Sequence, residues 1–302
     1  MIRFGLCCVF HEAPIRFRTA TAKYVLKLRS LNQDPLHYLS QIILDNLQAL
    51  EQAISYCGEH HIGAFRINSQ FMPLYTHPEV KYQLKDFGEA EIIYQKFERC
   101  RELAKMLGIR LTLHPDQFVI LNSPNERVVK ASMEELEYHG LLAELIGADV
   151  INIHAGGVYG DKSAALDRLM QQIPKLSKRV RQRLTLENDD KSFTPEDLLP
   201  VCRAVGIPLV YDIHHHRCLP DQFTIDEASQ LCYQTWNREP LFHISSPREG
   251  WSGKKLTSHH DYIDIHDFPL FWLSLDPLTI EIEAKAKEVA IARLMKELNL
   301  IY

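Results

Sequence analysis

The chain has 302 residues, of which 46% are hydrophobic and 24% are charged, and its formal net charge is −5 at pH 7. This composition is typical of a soluble globular protein: its acidic balance argues against non-specific coating of nucleic acid, and its apolar runs fall short of the ~18 residues that a membrane-spanning helix needs. The N-terminal stretch fits a strand better than a signal peptide, and seven cysteines without a CxxC pair are typical of reduced thiols, so we expect a cytoplasmic protein.

Short apolar runs alternate with segments of helical periodicity along the chain. The predicted strands are Ile2–Phe10, Gly63–Asn68, Ile109–His114, Asp149–Ala155, Leu184–Asn188, Leu209–Ile213, Leu241–Ser245 and Leu278–Ala284. The predicted helices are Leu36–His60, Phe87–Leu107, Pro124–Ile146, Lys162–Arg181, Pro195–Val205, Ile225–Trp236 and Lys287–Leu298, and His11–Arg29 is predicted to be a long loop. Ser123, directly before the predicted helix Pro124–Ile146, is the expected N-terminal cap of that helix.

Strands that alternate with helices predict a parallel sheet, and eight such units in one chain of this length predict a single (β/α)8 TIM barrel over residues 1–302. Functional sites in that fold gather at the C-terminal ends of the strands. A doubly wound open sheet is the structural alternative. It needs a switch point, and the chain has no glycine-rich dinucleotide fingerprint to mark one.

Acidic residues and histidines stand at the ends of six successive predicted strands. They are His114, His154, Glu187, Asp212, His243 and Glu283. A single such residue is more often an ordinary rim side chain, but alternation along parallel strands would bring all six together at one mouth of the barrel. Buried there without cations, each charge would cost several kcal/mol. The pattern therefore predicts a metal cluster of two or three divalent ions at the C-terminal face of the strands.

The run His214–His216 leaves one ligand undecided. Strict alternation from Asp212 points to His214 and His216, whereas a chain that bends out of the strand brings His215 beside Asp212. The loop after the seventh strand offers a further pair, His259 and His260.

An ordered series of motifs runs through nearly the whole chain. It comprises FRINSQFMPLYTHP at 65–78, LTLHPDQF at 111–118, NIHAGGVYGDK at 152–162, LTLENDD at 184–190, YDIHHH at 211–216, HISS at 243–246, HHDYI at 259–263 and IEAKAKE at 282–288. This series resembles the UV-damage endonuclease family and, more distantly, the apurinic endonucleases of the endonuclease IV type. Both are metal-dependent barrels.

The resemblance implies a set of metal ligands. They are His114, His154, Glu187, Asp212, His215, His243, His259 and Glu283. Glu187 occupies the position that bridges two ions, the D-x-x-H spacing selects His215, and Asp261 is a weaker candidate for a third ion. In the loop after the third strand, Gln117 and Phe118 stand where the family probes damaged DNA, with Phe in place of the more usual Tyr. An apolar wedge can still enter a base stack.

Two departures from the family pattern concern the interior of the predicted barrel. Leu241 stands where some members carry a carboxylated lysine, so that modification cannot occur there. Leu6 replaces a tyrosine often found after the first glycine, which leaves lesion contacts from the first strand in doubt.

The resemblance implies incision of double-stranded DNA immediately 5′ to a UV lesion by a two- or three-metal site, with Mn²⁺ expected and Zn²⁺ or Co²⁺ as alternatives. Its catalytic residues would be Glu187, Asp212, Glu283 and Lys285. Loop cations expected to contact DNA phosphates are Arg16, Arg18, Lys23, Arg248, Lys254 and Lys255. We expect a monomer without membrane contact. The alternatives are a sugar-phosphate isomerase or epimerase on the same barrel and a non-catalytic, metal-stabilised DNA-damage binding protein.

Overall fold

Eight short strands form a closed barrel in which each strand pairs in parallel with the next and the first pairs with the last. The computed structural model describes residues 2–300. The strands are β1 Ile2–Cys7, β2 Ala64–Ile67, β3 Arg110–Leu113, β4 Val150–His154, β5 Leu184–Glu187, β6 Leu209–Asp212, β7 Leu241–Ile244 and β8 Leu278–Ile282. The predicted TIM barrel is confirmed, and the open-sheet alternative is wrong.

Helices surround the barrel and connect its strands. They are α1 Ala22–Ser30, α2 Pro35–Glu59, α3 Ala90–Leu107, α4 Glu126–Ile146, α5 Lys162–Gln172, α6 Lys178–Arg181, α7 Pro195–Val205, α8 Ile213–Cys218, α9 Ile225–Tyr233 and α10 Lys287–Glu297. Their apolar faces pack on the sheet in one large core, in which Phe65, Phe97 and Trp272 are fully buried. Burial of one such side chain contributes about 1.5–3 kcal/mol. Among the helices described, none is both long and apolar enough to cross a membrane.

The predicted loop His11–Arg29 is wrong in its second half, where α1 forms. Thr21 caps that helix, its side chain accepting a hydrogen bond from the backbone N–H of Tyr24. Val25 and Leu28 are the buried face of α1, three residues apart. The basic residues Lys23, Lys27 and Arg29 around these two positions obscure the helical stripe in the sequence.

Two predicted helices also differ in extent. The segment Lys162–Arg181 is broken at Pro174, which cannot donate a helical hydrogen bond, so α5 ends and a 3₁₀ turn at Ile173–Lys175 precedes α6. Helix α4 begins at Glu126, and its cap is Asn125 rather than Ser123 because the Asn125 side chain accepts from the N–H of Arg127.

The interior of the barrel changes from apolar to polar toward the C-terminal ends of the strands. Leu241 packs against Val150 and Val210 in a small buried cluster. The next inward position on β7, two residues on, is His243, which is also fully buried. Leu241 therefore forms part of an apolar floor beneath the polar end of the barrel.

Candidate metal centre

Glu187, the last residue of β5, lies at the centre of the polar end of the barrel and is 1% exposed. Its carboxylate is 3.1 Å from Nε2 of His114, 3.3 Å from Nδ1 of His243 and 3.4 Å from Nδ1 of His215. Asn152 of β4 donates a further hydrogen bond to the same carboxylate. Polar side chains from strands β4 and β7, from the residue that follows β3 and from helix α8 thus meet at one buried acid.

Three groups of three residues bring one ligand atom each to within 4.8 Å of one another. The groups are His114, His154 and Glu187; Glu187, Asp212 and His215; and Asp212, His243 and Glu283. Glu187 belongs to the first two groups and Asp212 to the last two. The three groups therefore form a continuous chain that shares two carboxylates, which is the arrangement expected for neighbouring divalent ions.

Buried atoms without hydrogen-bond partners test whether these residues fit a metal. Nδ1 of His154, Oδ2 of Asp212 and Nδ1 of His243 are all buried and have no hydrogen-bond partner. Buried polar atoms are nearly always satisfied, and each of these three residues belongs to a candidate ligand group. Imidazole and carboxylate donors suit Zn²⁺, Mn²⁺ and Co²⁺. The donor set therefore fits divalent metal ions.

Backbone carbonyls orient several of the candidate ligands. Nδ1 of His114 lies 3.0 Å from the carbonyl of Pro115, and Nδ1 of His215 lies 3.0 Å from the carbonyl of Asn188. An N–H donated to a carbonyl fixes the tautomer of the ring and leaves Nε2 with a lone pair, which is the usual outer shell of a metal-binding histidine.

The pKa values in the cluster show that its carboxylates attract positive charge. Burial acts to raise the pKa of Glu187, but His243 and His154 outweigh it and hold the pKa well below its usual range. Burial acts to lower the pKa of His243, yet Glu187 opposes it and the pKa rises to about 10. Burial lowers the pKa of His154, which keeps that imidazole neutral and able to donate a lone pair.

The chain leaves the strand direction directly after Asp212, which selects His215. Asp212 caps α8 by accepting a hydrogen bond from the N–H of His215 at 2.8 Å. His216 is directed elsewhere, with Nδ1 2.8 Å from the hydroxyl of Tyr211. The ring of His214 lies 5.3 Å from that of Trp251, outside the three ligand groups. Of the two alternatives, the chain follows the bend out of the strand, which brings Asp212 and His215 together.

The remaining histidines of the loop after β7 lie at the edge of the cluster. Nδ1 of His259 is 3.0 Å from the carbonyl oxygen of Glu283 and 3.8 Å from its Oε2. His259 is not in the three ligand groups found among residues 2–300, so its role as a ligand stays a prediction. His260 lies with Nδ1 against the backbone of Tyr262, and Asp261 is exposed.

An open cleft of about 650 Å³ lies over the candidate ligands. Its walls include Phe118 and Gln117 from the loop after β3, together with His114, Glu187 and Glu283. Phe118 is 76% exposed, although a large aromatic side chain would ordinarily be buried. An aromatic ring therefore projects into solvent beside the metal-binding groups.

The predicted loop cations differ in their surroundings. Arg16 donates from Nη1 to the carbonyl oxygens of Ala13 and Ile15 at 2.6 and 2.9 Å, and Arg18 pairs with Asp45. The other cations, all exposed on loops or helix ends, are Lys23, Arg248, Lys254, Lys255 and Lys285. Lys285 follows the end of β8 and does not enter the barrel.

Two charged residues of the centre were missed by the sequence reasoning. Arg66 on β2 is 8% exposed and forms ion pairs with Glu281 on β8 and with Glu283, which follows the end of that strand. Alternation along the last strand places Glu281 on the same face as Glu283, so the sequence could have indicated that Glu281 is a buried carboxylate in addition to the predicted metal ligands. Nothing in the sequence indicated that an arginine would lie among the acids.

Comparisons with known proteins agree with this geometry. The family model UV-endonuclease UvdE matches residues 2–302. The UV DNA damage endonuclease of Bacillus velezensis is 34% identical over 319 residues, covering 100% of this chain and 95% of that protein. The crystal structure of SacUVDE matches with a TM-score of 0.84 and 29% identity and covers 100% of both chains.

The crystal structure of endonuclease IV from Thermus thermophilus matches with a TM-score of 0.62 and 15% identity, and the match covers 99% of this chain and 100% of that one. At this identity the match shows similarity of fold alone. The family match, in contrast, extends over nearly every residue and agrees with the motifs found in the sequence. The chain belongs to the UV-endonuclease UvdE family.

Proposed function

We propose that this protein is a DNA repair endonuclease that hydrolyses the phosphodiester immediately 5′ to a UV photoproduct in duplex DNA. The observation that carries the proposal is the chain of three ligand groups, joined through Glu187 and Asp212, at the floor of an open cleft. A cleft open to solvent admits a polymer, and carboxylates shared between ligand groups would hold neighbouring ions close enough to act on one phosphate.

The residues of the centre would have two roles: they would bind the metal ions, and they would hold them in a fixed orientation toward the substrate. Glu187, Asp212 and Glu283 would supply the anionic ligands, and the histidines around them would supply nitrogen donors, which bind a metal in their neutral form. Divalent ions bound by these residues would supply a water of lowered pKa and would neutralise the charge that develops on the phosphoryl oxygens. Fixed side chains on rigid strands hold these groups in position before the substrate arrives, which avoids reorganisation during the reaction.

Recognition of the lesion is assigned to Gln117 and Phe118. A photoproduct pairs poorly, so extruding it from the duplex costs less than the few kcal/mol that a sound base pair requires. An exposed aromatic ring can fill the space left in the base stack, and Phe118 is suitably exposed. Exposed Lys254 and Lys255 would contact backbone phosphates, and Arg16, Arg18 and Lys285 stay weaker candidates for that role.

The two alternatives are less well supported. A sugar-phosphate epimerase needs a small enclosed pocket, whereas the cleft here is open and bordered by an exposed aromatic ring. A non-catalytic binding protein would not need seven candidate ligands in three joined groups. We further propose that the protein binds two or three ions and that Mn²⁺ is the native metal. We also propose that it is a monomer located in the cytoplasm.

A nicking assay on supercoiled plasmid tests this function. We expect the purified protein with Mn²⁺ to convert UV-irradiated plasmid to the open circle and to leave unirradiated plasmid intact. An end-labelled duplex with one photoproduct then locates the incision. Retention of irradiated DNA without nicking would favour the binding protein, and nicking of both plasmids alike would contradict lesion recognition.

A further inference from the structure

A buried ion pair lies directly beside the candidate ligands and belongs to none of the three groups. Glu281 is 1% exposed and Arg66 is 8% exposed. Nε of Arg66 donates to Oε2 of Glu281 at 2.6 Å, and Nη2 of Arg66 lies 2.5 Å from Oε1 of Glu283. The hydroxyl of Thr112 also donates to Glu281. One guanidinium thus joins a buried acid to a candidate metal ligand.

The contact between Glu281 and His243 determines which nitrogen of the imidazole faces the metal-binding groups. Nε2 of His243 lies 3.0 Å from Oε2 of Glu281 and 3.4 Å from Nη2 of Arg66. An ionised carboxylate only accepts hydrogen bonds, so the shorter contact requires a proton on Nε2. Nδ1 is then left as the donor to a metal, and Nδ1 is the buried atom of this ring that makes no hydrogen bond, lying 3.3 Å from Oε1 of Glu187.

The contact between Arg66 and Glu283 restricts the second ligand. A guanidinium is planar and presents its donors in a rigid fork, so binding two carboxylates at once sets their relative position. Glu283 is 3.5 Å from Nδ1 of His243 through the same Oε1 that Arg66 contacts. The imidazole and the carboxylate of one ligand group therefore rest on a single buried scaffold.

We propose that Glu281 and Arg66 are positioning residues that hold His243 and Glu283 in the geometry that binds a divalent ion. This inference rests on the metal-binding part of the proposed function. It needs no contact between either residue and DNA, and metal-binding histidines commonly depend on such a carboxylate partner.

Charge alone makes a different prediction, and that difference is the basis of the test. Replacing Arg66 by Met removes a positive charge beside the ligands, so simple Coulomb attraction would tighten the binding of a divalent cation. Replacing Glu281 by Leu removes a negative charge and would weaken it. If the pair acts by positioning, both substitutions must weaken binding. Loss of such an outer-shell partner typically lowers metal affinity by about 10–100-fold.

The experiment is a titration of the metal-stripped full chain with Zn²⁺ in the absence of DNA, followed by isothermal titration calorimetry. We expect R66M and E281L each to lower Zn²⁺ affinity at least tenfold, and E281Q to lose less because its amide oxygen still accepts from Nε2–H of His243. The absorption spectrum of the Co²⁺-loaded protein should shift in the same two variants.

A matched control removes another buried guanidinium from the barrel. Arg110 pairs with Asp149 at 2.9 Å at the opposite end of the strands, and its side chain is 7% exposed. We expect R110M to lower thermal stability while Zn²⁺ affinity stays at the wild-type value. Should R66M fail to fold, E281Q and E281L alone decide the question by their order of affinity.

Several results would overturn the inference. They are tighter Zn²⁺ binding by R66M, wild-type affinity in E281L, and equal losses in R66M and R110M. Because no DNA is present, these outcomes are separate from a failure of the nicking assay, which would refute the endonuclease proposal instead. A wild-type chain that binds no Zn²⁺ would contradict both.

Discussion

Replacement of Glu187 by Gln should separate metal binding from folding. The substitution keeps the size of the side chain and removes the charge that lies within 3.4 Å of three imidazoles and belongs to two ligand groups. Truncation of one partner of a buried charge pair weakens binding by about 2–5 kcal/mol. At 1.4 kcal/mol per factor of ten, metal affinity should fall roughly 30- to 4,000-fold.

The assay is the Zn²⁺ titration of the stripped protein, with nicking of irradiated plasmid as the second measurement. Glu239→Gln is the matched control, because Glu239 pairs with Arg3 at 2.9 Å and accepts from Thr279 at the far end of the barrel. That control should bind metal normally. Wild-type affinity and nicking by E187Q, in a protein whose circular dichroism is unchanged, would refute the assignment of Glu187 as the shared ligand.

Three further predictions concern recognition, pH and metal removal. Phe118→Ala should reduce nicking of irradiated plasmid at least tenfold, while Phe118→Tyr preserves it; equal activity in both would exclude an aromatic probe. Burial lowers the pKa of His139 to about 4. As the pH falls below 6.5, this imidazole is therefore protonated in the unfolded chain while it stays neutral in the folded protein, and the unfolded state is favoured. Acidification to pH 4 should therefore cost about 3 kcal/mol of unfolding free energy, and urea titrations of His139→Leu should show less loss. Chelation by EDTA should abolish nicking and lower the melting temperature, with recovery on adding Mn²⁺.

The barrel and most of its site could be predicted because parallel strands have a simple rule of alternation. Once eight strands are placed, the residues that end them must meet, and His114, Glu187 and Asp212 do so. The rule fails where the chain leaves a strand. Asp212 starts a helix there, and the capping bond to His215 rather than the alternation decides which histidine enters the cluster.

Other features depended on contacts between residues distant in the chain. Arg66 and Glu281 are separated by 215 residues, and only closure of the barrel brings them together. Helix α1 was missed for a local reason, since its apolar face consists of two buried residues among basic neighbours. Ion pairs between distant residues inside a barrel can therefore be identified only in the three-dimensional structure, whereas helix caps and proline breaks such as Pro174 can be sought in the sequence.

The charge at the polar end explains how a protein with a net charge of −5 could bind DNA. The centre contains four carboxylates, on Glu187, Asp212, Glu281 and Glu283, and one guanidinium, that of Arg66, which pairs with Glu281 and Glu283. These described side chains carry three negative charges when the histidines are neutral, the form in which a histidine binds a metal. Two divalent ions would balance these and leave one positive charge on the floor of the cleft. In that low-dielectric setting a single charge attracts a phosphate more strongly than exposed loop lysines do. Attraction for DNA would then depend on metal loading, and the overall acidity of the chain would limit binding elsewhere on its surface.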